Sequence, residues 1–318
     1  MTAQLMMGKD TAAAVKSDLD SEIADLKERG ILPRLDIIRV GSKPEDLAYE
    51  NGARKRFEKL GLALDVTELP EDVTEEEFEE ALIRLNEDPL VHGILVFRPL
   101  PENLDADRIA GLIAPEKDVD CFSPVNIAKV LTGESGFDAC SCAETGRAET
   151  GRNEIHTGAE GSLGADSRKN AGGFAPCTAE AAIEIGERNG IDFDGKSVTI
   201  VGRSMVVGRP LAMMLLQKNA TVTICHTHTK DLAASCQRAD VIIAAAGRAG
   251  LITADMVSDD ACVIDVGINV GADGKLTGDV DFDAVSEKAA MITPVPGGVG
   301  GVTTSILARH VVTAAERK

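Results

Sequence analysis

Apolar residues in the first third of the chain switch repeatedly between two periods. Helical spacing over residues 11–29 gives way to the apolar run RLDIIRV at 34–40, and a second helix follows from Pro44 to about residue 60. The alternation continues with a strand at 62–69, an amphipathic helix with an acidic first turn at 74–86, and a short apolar strand, GILV at 93–96, stopped by the PLP breaker at 99–101. Strands separated by helices in this order predict a parallel sheet.

Between residues 131 and 173 the periodicity is lost in a Gly-, Ser-, Thr-, Glu- and Arg-rich stretch with the near-repeat ETGR at 144–147 and 149–152. This reads as a mobile surface insertion, a length the fold tolerates. Regular pattern resumes at GKSVTIVGRS, 195–204, a buried strand running into a glycine turn, with a helix starting near Pro210. Apolar strands follow at 221–225, 241–245 and 262–266, each one helix-length apart, and a helix at 302–317 ends the chain. The chain is thus α/β throughout: an N-terminal α/β domain over 1–130, a polar insertion over 131–173, and a Rossmann-type doubly wound parallel-sheet domain over 174–302. The helix of 303–318 returns to the first domain.

A formal charge of −19 disfavours nucleic acid and anionic lipid as partners, since the lysines and arginines form no compensating block. The longest apolar runs, such as 241–246, fall far short of the ~20 residues needed to span a bilayer, and the first residues lack the pattern of a secretion signal, so a cytoplasmic location is expected. Seven cysteines without framework spacing fit reduced thiols. Cys140, Cys142 and His156 lack the paired spacing of a zinc site, and no metal is expected. Aromatic residues are scarce, with no Trp and only Tyr49 as tyrosine.

The strand–turn–helix at 201–208, VGRSMVVG, has the order a dinucleotide needs: glycines that let backbone amides approach a pyrophosphate, and a helix N-terminus facing it. Its G-x5-G spacing differs from the usual fingerprint, and an ordinary βα turn would share it. The next strand ends VTICH at 222–226 without the Asp or Glu that bonds ribose hydroxyls in NAD-binding folds. Arg203, Ser204 and, beside them, His226 or Lys230 offer the positive charge and donors that suit the 2′-phosphate of NADP.

These features accompany a series of ordered motifs: PCT at 176–178, GK at 195–196, GRSMVVGRP at 202–210, ATVTICH at 220–226, VIDVGIN at 263–269, GDV at 278–280 and TPVPGGVG at 293–300. GILV at 93–96, PLP at 99–101 and KDVD at 117–120 add to them in the N-terminal half. Together they resemble the bifunctional methylenetetrahydrofolate dehydrogenase/methenyltetrahydrofolate cyclohydrolase family over nearly the full length. The resemblance implies an N-terminal folate-binding domain, a C-terminal NADP-binding domain, a cleft between them and a homodimer. It also implies catalytic roles for Tyr49, as the ring over the folate, and Asp120, as the carboxylate that accepts hydrogen bonds from the pterin. Phe97, Pro99, Leu100, Pro296 and Gly297 complete the implied folate site. Thr178, Gly202, Arg203, Ser204, Val207, Gly208, His226 and Ile268 form the implied cofactor site.

Two positions depart from the family. Its Tyr-x-x-x-Lys pattern places an amine one helical turn after the tyrosine, and here that residue is Ala53. The glutamine expected after GILV is Phe97. Hydration of the methenyl cation relies on that lysine in the family. The expectation is therefore an NADP-dependent dehydrogenase whose cyclohydrolase activity is weak or absent. Alternatives are a fully bifunctional enzyme using Arg54, Arg56 or Arg98, or a folate- or NADP-binding module without catalysis. A hydroxy-acid dehydrogenase is disfavoured because no catalytic His or Lys is placed for it.

Overall fold

The structure, a computed structural model, describes residues 2–135, 173–271 and 274–318. The N-terminal part is built on a three-stranded parallel sheet in which β2 (Arg34–Val40) lies between β3 (Ala63–Leu69) and β4 (Gly93–Val96). Ile37 pairs with Val66 on one side and Leu95 on the other, so β2 takes the central position, with Leu35, Ile37 and Ile38 fully buried. Helices α1 (Gly8–Glu28), α2 (Pro44–Leu60), α3 (Glu75–Glu87) and α4 (Ala106–Leu112) connect and flank these strands. Helix α3 starts on a reciprocal cap: the Thr74 hydroxyl accepts from the Glu77 N–H while the Glu77 carboxylate accepts from the Thr74 N–H.

The C-terminal part is a six-stranded parallel sheet. Its order is β1 (Gln4–Leu5), β11 (Met291–Ile292), β8 (Cys262–Asp265), β7 (Val241–Ala244), β5 (Ser197–Val201) and β6 (Thr221–Cys225). Strand order reverses at β5, whose neighbours β6 and β7 follow it in sequence on opposite sides. A doubly wound sheet opens its ligand crevice beyond the strand ends at such a point. The β5 to α7 (Gly208–Gln217) turn stands there. Helices α5 (Pro124–Thr132), α6 (Cys177–Arg188), α8 (Leu232–Gln237) and α9 (Phe282–Ser286) and the two-stranded ladder β9 (Asn269–Val270) with β10 (Leu276–Thr277) complete the described elements. Helix α10 (Gly300–Glu316) buries nearly every turn against α1, α2 and α6 and the edges of β2 and β4, joining the two sheets.

The structure corrects the segment limits in two places. Gln4 and Leu5 pair with Met291 and Ile292, so the first strand belongs to the C-terminal sheet although it opens the chain. A two-residue strand has no period to betray it. Leu131 and Thr132 close helix α5, capped by Gly133 in the left-handed region, so the polar insertion begins after them. Residues 136–172, which carry Cys140, Cys142 and His156, lie outside the described residues, as does the mobility expected of that segment. The described cysteines are free thiols, and no helix among the described residues is long and apolar enough to cross a membrane.

Candidate active site

The KDVD motif divides its work. Lys117 donates to the carbonyls of Leu85, Asn86 and Asp88, which closes the C-terminal end of α3; burial brings its ammonium down to about 8. Asp118 accepts from the N–H groups of Phe122 and Ser123 and from the Asn126 amide, holding the turn that follows. With both flanks pinned, Asp120 faces a cleft of about 250 Å³ lined by Tyr49, Phe97, Arg98, Asp120, Thr178 and Val206 among others. Its two oxygens are engaged by the Cys177 N–H and by Nη2 of Arg98, both at 2.9 Å. Each carboxylate oxygen keeps a second lone pair for a ligand.

Tyr49 stands edge-on to Phe97, ring centres 5.6 Å apart and planes 83° from parallel. Burial above all, with the neighbouring Cys177 and Asp120, pushes its phenol well above the ordinary value, so it stays neutral. One turn along α2, Ala53 is fully buried in the core. Where an amine would stand there is a methyl group, and the side chain beside it is an apolar ring. Of the three arginines considered, Arg98 lines this cleft and also stacks over Phe122 at 4.8 Å. Arg54 pairs with Glu50, while Arg56 lines a second groove on the far side of Tyr49.

On the other wall, Gly202 and Gly208 make a turn that no larger residue could form. A Cβ on Gly202 would lie 2.1 Å from the Ala245 oxygen, and one on Gly208 2.2 Å from the Gly202 oxygen; Gly202 also has φ +134°. Ser204 Oγ accepts from the Val207 N–H at 3.1 Å, fixing the turn, while Arg203 and Ser204 themselves are exposed. Arg203 is in no ion pair among the described residues. Past β6, His226 Nδ1 accepts from the His228 N–H at 3.1 Å, which leaves the opposite ring nitrogen as the hydrogen-bearing donor. The first carboxylate after β6, Asp231, is committed to capping α8 through the Ala234 N–H. The rim of β6 therefore offers donors and no acid, a donor set that fits a phosphorylated ribose.

The remaining expected residues are spread around these walls. Pro99 and Leu100 follow β4, with Leu100 packed toward Phe78 and Val73, and neither lines the cleft. Pro296 and Gly297 are exposed on the loop into α10, tied to α1 by the Gly8 N–H on the Gly297 carbonyl at 2.8 Å. Ile268 is 61% exposed in the loop after β8, and Val207 immediately precedes α7.

Two buried networks support the site and were not assigned a role from sequence. Behind Asp120, His310 places Nδ1 at 2.9 Å from the Val119 carbonyl and Nε2 at 2.9 Å from Glu180, which also binds Arg309. Burial pushes the Glu180 carboxyl up, but His310 and Arg309 outweigh it and bring it down to about 2. Under the wall formed by the glycine turn, Asp279 accepts from the N–H groups of Ala246, Gly247 and Arg248 and from Asn269, while Asp265 accepts from those of Gly267, Asp279 and Val280. Burial raises Asp265 to about 6 against those bonds. VIDVGIN and GDV were visible as motifs. What sequence could not show is that they hold each other across 14 residues.

Two family profiles match the chain. "Tetrahydrofolate dehydrogenase/cyclohydrolase, catalytic domain" covers residues 6–120, and "Tetrahydrofolate dehydrogenase/cyclohydrolase, NAD(P)-binding domain" covers residues 176–318. Proteins called "Bifunctional protein FolD" from Clostridioides difficile and Alkaliphilus oremlandii are 47% and 46% identical, covering 98% of this chain and 96% and 97% of theirs. Among solved structures, the bifunctional FolD enzyme of Campylobacter jejuni superposes with a TM-score of 0.84 at 37% identity, covering 99% of each chain. The FolD of Trypanosoma brucei, solved with NADP cofactor and inhibitor, gives 0.83 at 34% identity, covering 100% of this chain and 98% of its own. The expectation of a weak or absent cyclohydrolase finds no support in these names, which favour both activities.

Proposed function

Since the chain belongs to the tetrahydrofolate dehydrogenase/cyclohydrolase family, we propose that it oxidises 5,10-methylenetetrahydrofolate to the 5,10-methenyl cation with NADP, and that hydrolysis is the weaker of its two activities. The observation that carries the first part is the composition of the cleft. Tyr49, Phe97 and Asp120 of the N-terminal wall face Thr178 and Val206 of the cofactor wall across one cavity. Gly202, Arg203, Ser204, Val207, Gly208 and His226 would hold NADP, which supplies the hydride acceptor.

In this reading Asp120 accepts from the pterin's amino edge, and Arg98 and the Cys177 N–H fix the carboxylate's orientation. Tyr49 lies over the folate ring system. The C–H bond of the methylene bridge breaks with its electron pair going to the acceptor, and the substrate's two nitrogens share the positive charge left behind. No proton moves, so the chain's task is alignment, and two aromatic rings with a neutral phenol suit it. The same rings keep water from the cation, and Ala53 supplies no amine to activate it. The second reading, hydration at full rate through a different group, is favoured by the names of the relatives, and Arg98 is the cation on this cleft that could serve it. Initial rates of reduced-cofactor formation with NADP and with NAD test the dehydrogenase assignment: NADP supports faster turnover at low concentration, and absence of turnover with either overturns it.

A further inference from the structure

The segment that carries Asp120 into the cleft is thinly held by its own backbone. Asp118 forms a parallel bridge with Ile94 of β4, whose N–H donates to the Lys117 carbonyl at 2.7 Å, and there the pairing stops. Val119 is fully buried, and among the described residues no backbone N–H reaches its carbonyl. A buried carbonyl without a donor is costly, and two distant side chains supply one: Nδ1 of His310 at 2.9 Å and, more weakly, the Cys177 thiol at 3.2 Å. The Val119 oxygen and the Asp120 nitrogen share one planar peptide unit, so fixing the oxygen limits how the Asp120 Cα presents its carboxylate. His310 is itself held. Its Nε2 lies 2.9 Å from one Glu180 oxygen, the other takes Arg309 at 2.6 Å, and the ring packs on Phe174 with centres 4.9 Å apart. The Val119 carbonyl and the ionised Glu180 only accept, so both ring nitrogens donate.

Resting on the folate reading above, we propose that His310 is a positioning residue for substrate binding: through the Val119 carbonyl it aims the Asp120 carboxylate at the pterin. His310 does not line the cleft, so its effect passes through Asp120 rather than through contact with a ligand. It falls on folate and spares the dinucleotide, because the glycine turn forms the other wall and is fixed by its own contacts.

The test compares His310→Asn with His310→Phe. The Asn amide nitrogen stands as many bonds from the backbone as Nδ1 and donates to the Val119 carbonyl, whereas Phe keeps a ring and donates nothing. Both lose the Glu180 contact and with it stability, so a role in stability alone would move both alike. KM for 5,10-methylenetetrahydrofolate rises about fivefold in His310→Phe, the scale of one lost hydrogen bond, and stays within about twofold of wild type in His310→Asn. In both variants kcat and the Kd for NADP stay within about twofold of wild type, as expected when the lost interaction is equal in ground and transition states. In an Asp120→Ala background His310→Phe adds less than about twofold to KM, since no carboxylate remains to be aimed. The wild type carries its own readout should a variant fail to fold: nitrogen-15 spectra of its five histidines show His310 with hydrogen on both ring nitrogens. A His310→Phe KM at the wild-type value, an Asn variant as impaired as Phe, a parallel rise in the NADP Kd, full additivity with Asp120→Ala, or an Nδ1 without hydrogen each overturn the positioning role alone. A wild type that oxidises no folate overturns the folate reading together with it.

Discussion

Arg203→Ala separates the two nicotinamide cofactors by one functional group. Arg203 is exposed at the tip of the β5–α7 turn and forms no ion pair among the described residues, so its removal leaves the turn held by Ser204 and the two glycines. Folding stability should change by less than about 0.5 kcal/mol, as for a surface residue without special contacts. A hydrogen bond between charged partners contributes about 1.5–3 kcal/mol, and an exposed guanidinium sharing its phosphate with water belongs at the lower end. A loss of about 1.5 kcal/mol corresponds to roughly a tenfold weaker Kd for NADP. NAD lacks the 2′-phosphate and should bind the variant within twofold of wild type. Because His226 presents a second donor at the same rim, Arg203→Ala with His226→Ala should lose more NADP affinity than either alone. Calorimetric titration of both cofactors at two salt concentrations measures the effect, with the NADP penalty smaller at high salt. Equal weakening of NADP and NAD would refute the placement of the phosphate.

Three further outcomes follow from the site. Asp120→Asn keeps an acceptor for the Cys177 N–H but loses the charge facing Arg98, so KM for folate rises severalfold while binary NADP affinity holds; unchanged folate kinetics would show the pterin is placed wrongly. Ala53→Lys with Phe97→Gln restores the family's amine and amide and should gain partial hydrolysis of the methenyl cation. Losing the Tyr49–Phe97 ring pair costs about 0.5–1.5 kcal/mol, and a folded variant with no added hydrolysis sinks the proposal that hydrolysis is the weaker activity for want of that pair. Glu180 is ordinarily at 4.5 and sits at about 2 when folded, so its contribution to stability is present in full above pH 4.5 and is lost as pH falls through 2. That contribution is about 3 kcal/mol, and urea unfolding of the wild type between pH 7 and 3 should lose about 2 kcal/mol more than Glu180→Gln does. Parallel loss in both proteins would contradict the pairing with His310 and Arg309.

What could be read in the sequence was local. The strand at Arg34–Val40 and the helix at Pro44–Leu60 have the bounds expected of them, because one lies between the breakers Pro33 and Gly41 and the other opens on Pro44 and stops at Gly61 in the left-handed region. The glycine turn was legible because its motif is contiguous within residues 201–208, although the close approach that requires Gly202 is to the Ala245 oxygen, which sequence could not show. The pairing of Gln4–Leu5 with β11 was not, since its partners are nearly the whole chain away. Nor was the His310–Glu180 brace, whose members are 130 residues apart and each read as an ordinary helical position. Asp120 was singled out by a motif, but its engagement with Arg98 was hidden because the two are 22 residues apart and sequence does not say where the guanidinium turns.

The central claim is oxidation of the methylene bridge with slow onward hydrolysis, and one progress curve tests it. Methylenetetrahydrofolate and NADP are supplied in a buffer that does not itself open the methenyl ring, and reduced cofactor and methenyl absorbance are followed together. The account predicts that methenyl accumulates nearly one for one with reduced NADP and then decays far more slowly than it formed. Reduced NADP forming while methenyl stays low, with decay that scales with enzyme concentration, would contradict it and point to an efficient hydrolase built on another group.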